Sequence, residues 1–199
     1  MKVFNIATSE FLKNLTYLNL SGNEIRNEGV KYIATSEHFN KLISLILYSN
    51  RIGSEGAIYF AMSEWLKNLT CLDLDKNQID SEGAKYIATS ERLKNLTCLN
   101  LSCNRIDLSD NQISSEDVEY ISTNEWLKNL TSLDLSYNEI DNEGVKHIAK
   151  SQYMKKMSDL NLCSNRIDND GAKYISNNGR LRIVIDWDIS DYESDYDWD

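Results

Sequence analysis

The sequence predicts an α/β solenoid curved into a short horseshoe arc, with parallel strands on its concave face and helices on its convex face. Three observations carry that prediction. First, Leu15, Leu42, Leu69 and Leu96 each open a copy of one frame, with successive copies 27 positions apart, and the phase resumes at Leu130 and Met157. Second, the copies follow L-x-x-L-x-L-x-x-N-x-I, whose alternating apolar residues turn inward as a short strand requires. Third, each frame runs on into a stretch with helical spacing, such as Ala84, Ile87, Ala88 and Leu93, which can face the strands. Strands stack about 4.8 Å apart, whereas helices need about 8–10 Å. A stack with strands on one side and helices on the other must therefore bend toward its sheet.

Taken in order, residues 1–14 read as the second half of a repeat. Val3, Ile6, Ala7 and Leu12 share a phase with Val30, Ile33, Ala34 and Phe39. The first strand, Leu15 to Leu20, is then a sheet edge, and the reading expects a fragment of a longer array. Six repeats follow from residue 15. In each, a helix start is expected at Asn27-Glu28, Ser54-Glu55, Ser81-Glu82, Ser115-Glu116, Asn142-Glu143 or Asn169-Asp170. There a Ser or Asn would accept exposed backbone N–H groups and the acid would complement the positive helix end. The recurrent Asn (Asn23, Asn50, Asn77, Asn104, Asn138, Asn165) offers two donors and an acceptor to a buried turn, a structural role.

The step from Leu96 to Leu130 is 34 residues, seven more than the period. The excess is a tandem near-copy, Leu101-Ser102-Cys103-Asn104-Arg105-Ile106-Asp107 and then Leu108-Ser109-Asp110-Asn111-Gln112-Ile113-Ser114. A tolerated surface loop is favoured there over a binding protrusion. At the far end, Val184 to Ile189 falls on the frame one step after Met157 and is expected to form a closing strand. The repeat domain thus covers residues 1–189, and 190–199 is an acidic tail.

The formal net charge is −10, and residues 186–199 hold seven acids with no Lys or Arg. Nucleic acid is not an expected partner, since a polyanion needs a basic surface. No apolar run approaches the roughly 18 residues of a membrane span, and the first residues do not read as a signal peptide. The four cysteines (Cys71, Cys98, Cys103, Cys163) lie in or beside strand frames, so reduced thiols and a cytoplasmic location are expected.

The frame is the leucine-rich-repeat signature. Asn-x-Ile-x-x-Glu-Gly-Ala-x-Tyr-Ile-Ala, as in Asn77 to Ala88, resembles the ribonuclease-inhibitor-like class of these repeats, with Gly83 and Ala84 allowing a close helix. That class includes ribonuclease inhibitor, the Ran GTPase-activating protein and sensor regions of intracellular immune receptors. Intracellular bacteria and protists carry similar arrays, some resembling secreted effectors delivered into a host cytoplasm. The period here is shorter than is common in the class, and neither end has a developed cap. The resemblance implies protein binding, commonly on the concave face. The contact residues of the GTPase-activating member do not map onto this sequence.

The outward strand positions form columns across the arc. One is Tyr17, Ser44, Cys71, Cys98, Ser132 and Asp159; the next is Asn19, Ile46, Asp73, Asn100, Asp134 and Asn161. A third is Ser21, Tyr48, Asp75, Ser102, Ser136 and Cys163, with Lys76 and Tyr137 on the rim. From these the expected partner-binding set is Tyr17, Asn19, Ile46, Tyr48, Asp73, Asp75, Asn100, Asp134, Tyr137 and Asp159. Tyr buries area at little entropic cost, so the expectation is a groove for a protein with a basic segment, set against an exposed sheet that merely solubilises. Recurring convex aromatics (Tyr32, Tyr59, Tyr86, Tyr120 and Tyr174; Trp65, Trp126 and Tyr153) are read as helix packing rather than a second docking row.

No enzyme activity, cofactor or metal is expected. His38 and His147 lack an evident triad partner, and no His completes a zinc spacing beside Cys71 and Cys98. Asp107 to Asn111 fails as a calcium loop, with Gln112 where Gly is needed and Val118 where the bidentate acid belongs. A monomeric interaction module is the first reading. The alternatives are a GTPase regulator using Arg26, Arg51, Arg105 or Arg166, and a fragment or remnant of a longer receptor or effector.

Overall fold

A computed structural model describes residues 2–104, 113–176 and 182–185. Seven strands form one parallel sheet in sequence order: β1 (Tyr17–Asn19), β2 (Ser44–Ile46), β3 (Cys71–Asp73), β4 (Cys98–Asn100), β5 (Ser132–Asp134), β6 (Asp159–Asn161) and β7 (Arg182–Val184). Helices alternate with them: α1 (Lys2–Ala7), α2 (Arg26–Thr35), α3 (Ser54–Met62), α4 (Ser81–Thr89), α5 (Ser115–Thr123), α6 (Asn142–Lys150) and α7 (Asn169–Ser176). This is the predicted solenoid. Its core is the layer between sheet and helices, where Leu45, Leu72, Leu99, Leu133 and Leu160 stand in register, each at most 1% exposed. Ala57, Ala84 and Val145 meet them from the helices as fully buried residues.

Three side-chain ladders tie the repeats together, because a turn buried between neighbours must still satisfy its backbone polar groups. The Asn ladder is the most complete. Asn77 Nδ2 donates to the carbonyls of Leu47, Leu74 and Asp75, and its Oδ1 accepts the N–H groups of Asn50 and Ile52. At the helix ends, Ser36, Ser63, Ser90 and Ser151 donate to a carbonyl of the preceding repeat.

The third ladder corrects the expected helix caps. In α4, α6 and α7 the residue before the expected Ser or Asn does the capping: Asp80 accepts from the Gly83 N–H, Asp141 from Glu143 and Gly144, and Asp168 from Asp170 and Gly171. The Ser or Asn is the first helical residue and reaches sideways to the next repeat's cap instead. Ser54 donates to the Asp80 carboxylate, Ser115 to Asp141, and Asn142 to Asp168. In α5 the acid moves into the helix, where Asp117 accepts from the Ser114 N–H and from Ser114 and Ser81 hydroxyls. Elsewhere that position is Gly because the neighbour stands too close: a Cβ on Gly83 would lie 2.7 Å from Ile79 Cγ2 and 2.9 Å from Ser54 Oγ.

The closing strand is also corrected. β7 pairs Ile183 with Leu160 and Val184 with Asn161, so Val184 points outward at 45% exposure rather than opening the frame inward. Ile183 and Ile185 face the core instead. Their alternation offers an apolar inward pair four residues ahead of the register expected from the 27-residue step, and a parallel strand takes the register that buries it. Residues 186–189 of the expected strand and the 190–199 tail lie outside the described residues.

At the irregular repeat, Asn104 and Ile113 are both fully buried. Asn104 belongs to the first tandem copy and Ile113 to the second. Residues 105–112, which hold the expected loop and Arg105, lie outside the described residues.

Candidate functional site

Sheet register builds the columns as expected. Tyr17, Ser44, Cys71, Cys98, Ser132 and Asp159 stand side by side, and Asn19, Ile46, Asp73, Asn100, Asp134 and Asn161 form the next row. The ten singled-out residues spread along the face from β1 to β6, Ile46 on β2 pairing directly with Asp73 on β3. At about 4.8 Å per strand, Tyr17 on β1 and Asp159 on β6 are separated by roughly five strand spacings. Tyr17, Asn19, Ile46 and Tyr48 cluster on β1 and β2. Asp73, Asp75, Asn100, Asp134 and Tyr137 cluster on β3 to β5.

The second column has a task that the sequence reading missed. Each Asn or Asp ends its strand by accepting the N–H two residues on: Asn19 from Ser21, Asp73 from Asp75, Asn100 from Ser102, Asp134 from Ser136 and Asn161 from Cys163, all at 2.9–3.1 Å. The signal was present in the recurrence of Asn or Asp two places before the turn, as Asx turns require. Ser102 and Ser136 also donate their hydroxyls to these acceptors and are buried, so they leave the third column's surface. Asn100 and Asp134 are accordingly committed in part to the fold, Asp134 also accepting from Asn161 Nδ2.

Between the strand and the Asn, the chain passes through the left-handed region, with φ of 68° at Gly22, 54° at Ser49, 50° at Lys76, 48° at Cys103, 54° at Tyr137 and 53° at Ser164. Only the first repeat places Gly there. A side chain at such a position costs conformational energy. Tyr137 is nevertheless 53% exposed, so burial does not offset that cost. Lys76 bends its ammonium over the Tyr48 ring, 5.4 Å from the centroid, a cation–π contact.

The centre of the face is acidic. Burial pushes the Asp73 carboxyl above its ordinary value, and the charges of Asp75 and Asp134 push the same way against a backbone hydrogen bond. Asp75 Oδ1 is buried with no hydrogen-bond partner. Among the described residues no Lys, Arg or His forms an ion pair with Asp73, Asp75 or Asp134, whereas Asp159 lies 3.9 Å from Arg182. Burial and the Asp75 charge likewise push the nearby Cys103 thiol up to about 11.

The convex tyrosines divide, with Tyr86, Tyr120 and Tyr174 exposed. Tyr32 and Tyr59 lie against the core, and Lys31, Lys85 and Lys146 each cover the tyrosine of the next repeat at 4.4–5.9 Å. Of the turn arginines, Arg26 and Arg51 both face Glu24, and Arg166 pairs with Glu139. Among the described residues no group of three or more His, Cys, Asp or Glu could hold a metal ion. No helix there is long and apolar enough to cross a membrane.

The family model for leucine-rich repeats matches seven segments, 11–34, 40–61, 66–88, 92–107, 105–122, 127–149 and 153–176. The chain belongs to the leucine-rich-repeat family. Repeats of this family are typically scaffolds that bind other proteins, which supports a protein-interaction module in general terms. Among solved structures, the chain is similar to a protein of Bacteroides fragilis at 15% identity, covering 96% of this chain and 70% of that one, with a TM-score of 0.38. It is also similar to an internalin of Listeria monocytogenes at 17% identity, covering 93% of this chain and 66% of that one, again with a TM-score of 0.38. The comparison with curated proteins gave no match.

Proposed function

We propose that this repeat domain binds another protein through its concave sheet, seating a basic segment on the acids of β3 to β5. The observation that carries the reading is the group Asp73, Asp75 and Asp134, half-buried at β3 and β5 either side of Asn100 and without a salt bridge among the described residues. An arriving Lys or Arg would relieve their mutual repulsion and give Asp75 Oδ1 the donor it lacks. Tyr48 and Tyr137 flank the acids as apolar anchors, and Tyr17 and Ile46 extend the surface toward β1. The assignment to the ribonuclease-inhibitor-like class, supported by the Asn-x-Ile-x-x-Glu-Gly-Ala motif, and a cytoplasmic setting, supported by four free cysteines, are part of the same reading, as is a monomeric state.

The test is a crosslinking capture with three folded baits: the wild type, a concave variant (Tyr48→Ser, Asp73→Lys, Asp134→Lys) and a convex variant (Trp65→Ser, Trp126→Ser). A partner kept by the convex variant, lost by the concave one and released as salt rises supports concave docking. Loss with the convex variant alone moves the site to the helices and overturns it.

A further inference from the structure

Cys71 and Cys98 occupy one frame position in adjacent repeats, and the register sets them directly opposite each other on β3 and β4. The residues that follow them, Leu72 and Leu99, point into the core, so alternation turns both thiols to the concave face, where each is half-exposed. Neighbouring parallel strands lie about 4.8 Å apart, inside the span of about 4.4–6.8 Å between the Cα atoms of a disulfide. Curvature toward the sheet draws side chains on this face closer still. The closeness of the two thiols, with help from Ser44, brings Cys71 down to about 7 while it pushes Cys98 up. Such a pair has a thiolate nucleophile and a protonated neighbour within reach of it. Cys103 and Cys163 follow β4 and β6, with β5 between them and at different frame positions, so they cannot meet.

We infer that Cys71 and Cys98 form a dithiol site that a hydroperoxide converts to an intrachain disulfide lying across the concave face. The Cys71 thiolate attacks one peroxide oxygen, the O–O bond breaks, and Cys71 becomes a sulfenic acid while the departing oxygen takes up a proton. Cys98 sulfur then attacks Cys71 sulfur. The S–S bond forms, the S–OH bond breaks, and hydroxide leaves as water with the Cys98 proton. Two thiols lose two electrons and two protons, and the hydroperoxide is reduced to an alcohol, or water, plus water. The bridge would stand two residues before Asp73 and Asn100, but the site does not depend on what docks there.

The test treats the reduced full chain with hydrogen peroxide and follows thiol titre, intact mass and peptide maps. The expected result is a fall from four titratable thiols to two, a monomer lighter by two hydrogens, and a single Cys71–Cys98 peptide, all reversed by dithiothreitol. Cys98→Ser should stop at a Cys71 sulfenic acid that dimedone traps, and a Cys103→Ser/Cys163→Ser chain should still form the bridge. Serine is the native residue at each of these frame positions in other repeats, Ser44 and Ser132 for Cys98, Ser49 and Ser164 for Cys103, and Ser136 for Cys163, so these variants retain the fold. Oxidation spread evenly over the four cysteines, or disulfides found only between chains, overturns the inference.

Discussion

Replacing Asn77 by Leu tests the ladder at its best-connected rung. The amide is fully buried and makes five hydrogen bonds, so its loss could in principle orphan five backbone groups. The neighbours reduce that number. The Leu47 carbonyl keeps Asn50 Nδ2 at 3.0 Å, the Leu74 carbonyl keeps Asn104 Nδ2 at 3.1 Å, and the Asp75 carbonyl keeps the Ser49 N–H at 2.9 Å. The Asn50 and Ile52 N–H groups have only Asn77 Oδ1 among the bonds of the described residues. Leaving a buried donor unsatisfied costs about 1–3 kcal/mol, so Asn77→Leu should destabilise by about 2–6 kcal/mol. Asn23 is the contrast. It is exposed, and its Nδ2 donates to the carbonyls of Leu20 and Ser21. No hydrogen bond to its Oδ1 is recorded among the described residues, so Asn23→Leu should cost no more than about 1.5 kcal/mol. Urea unfolding followed by far-ultraviolet circular dichroism gives both values. Equal losses for the two variants would refute the reasoning, because they would show that orphaned N–H groups do not set the cost.

The remaining predictions concern the helix starts and the acidic face. Gly83→Ala should destabilise by about 1–3 kcal/mol, read as a lowered thermal midpoint, because the new Cβ would lie 3.0 Å from Ser54 Cα, backbone that cannot step aside. Asp141→Ala removes a cap and should cost about 1 kcal/mol at neutral pH. The hydrogen bond from Ser115 chiefly holds the Asp141 carboxyl below its ordinary value. Its contribution is therefore present above the unfolded-state value and is lost as pH falls through the folded one, so wild type and variant should converge in acid unfolding curves. Asp73 is the opposite case. Its folded value is raised, so its ionised form opposes folding, and Asp73→Asn should raise the urea midpoint at pH 7 with the gain vanishing in acid. An Asp73→Asn protein less stable than wild type at pH 7 would contradict that assignment.

The sequence by itself determined the repeat, the sheet and the concave columns. A side-chain period of two inside a 27-residue period leaves one way to bury Leu45, Leu72 and Leu99 together, so the register of β2 to β4 follows from the order of residues alone. What it left open were choices between near-equal local patterns. At the helix starts both Asp80 and Ser81 are good caps, and only the position of the neighbouring Ser54 made Asp80 the cap and turned the frame's Ser sideways. At the tandem copy either Asn and either Ile fitted the frame, and only the stacked repeats show Asn104 accepting from the Ile79 N–H and Ile113 fully buried. At the last strand the 27-residue step favoured Val184, whereas burial favoured Ile183 and Ile185. On the concave face, composition named the acids. The tertiary structure showed that the second-column acids also end their strands, and that Asp75 keeps a buried oxygen without a donor. Such choices depend on which groups a neighbouring repeat brings within hydrogen-bond distance, and that distance exists only once the repeats are stacked.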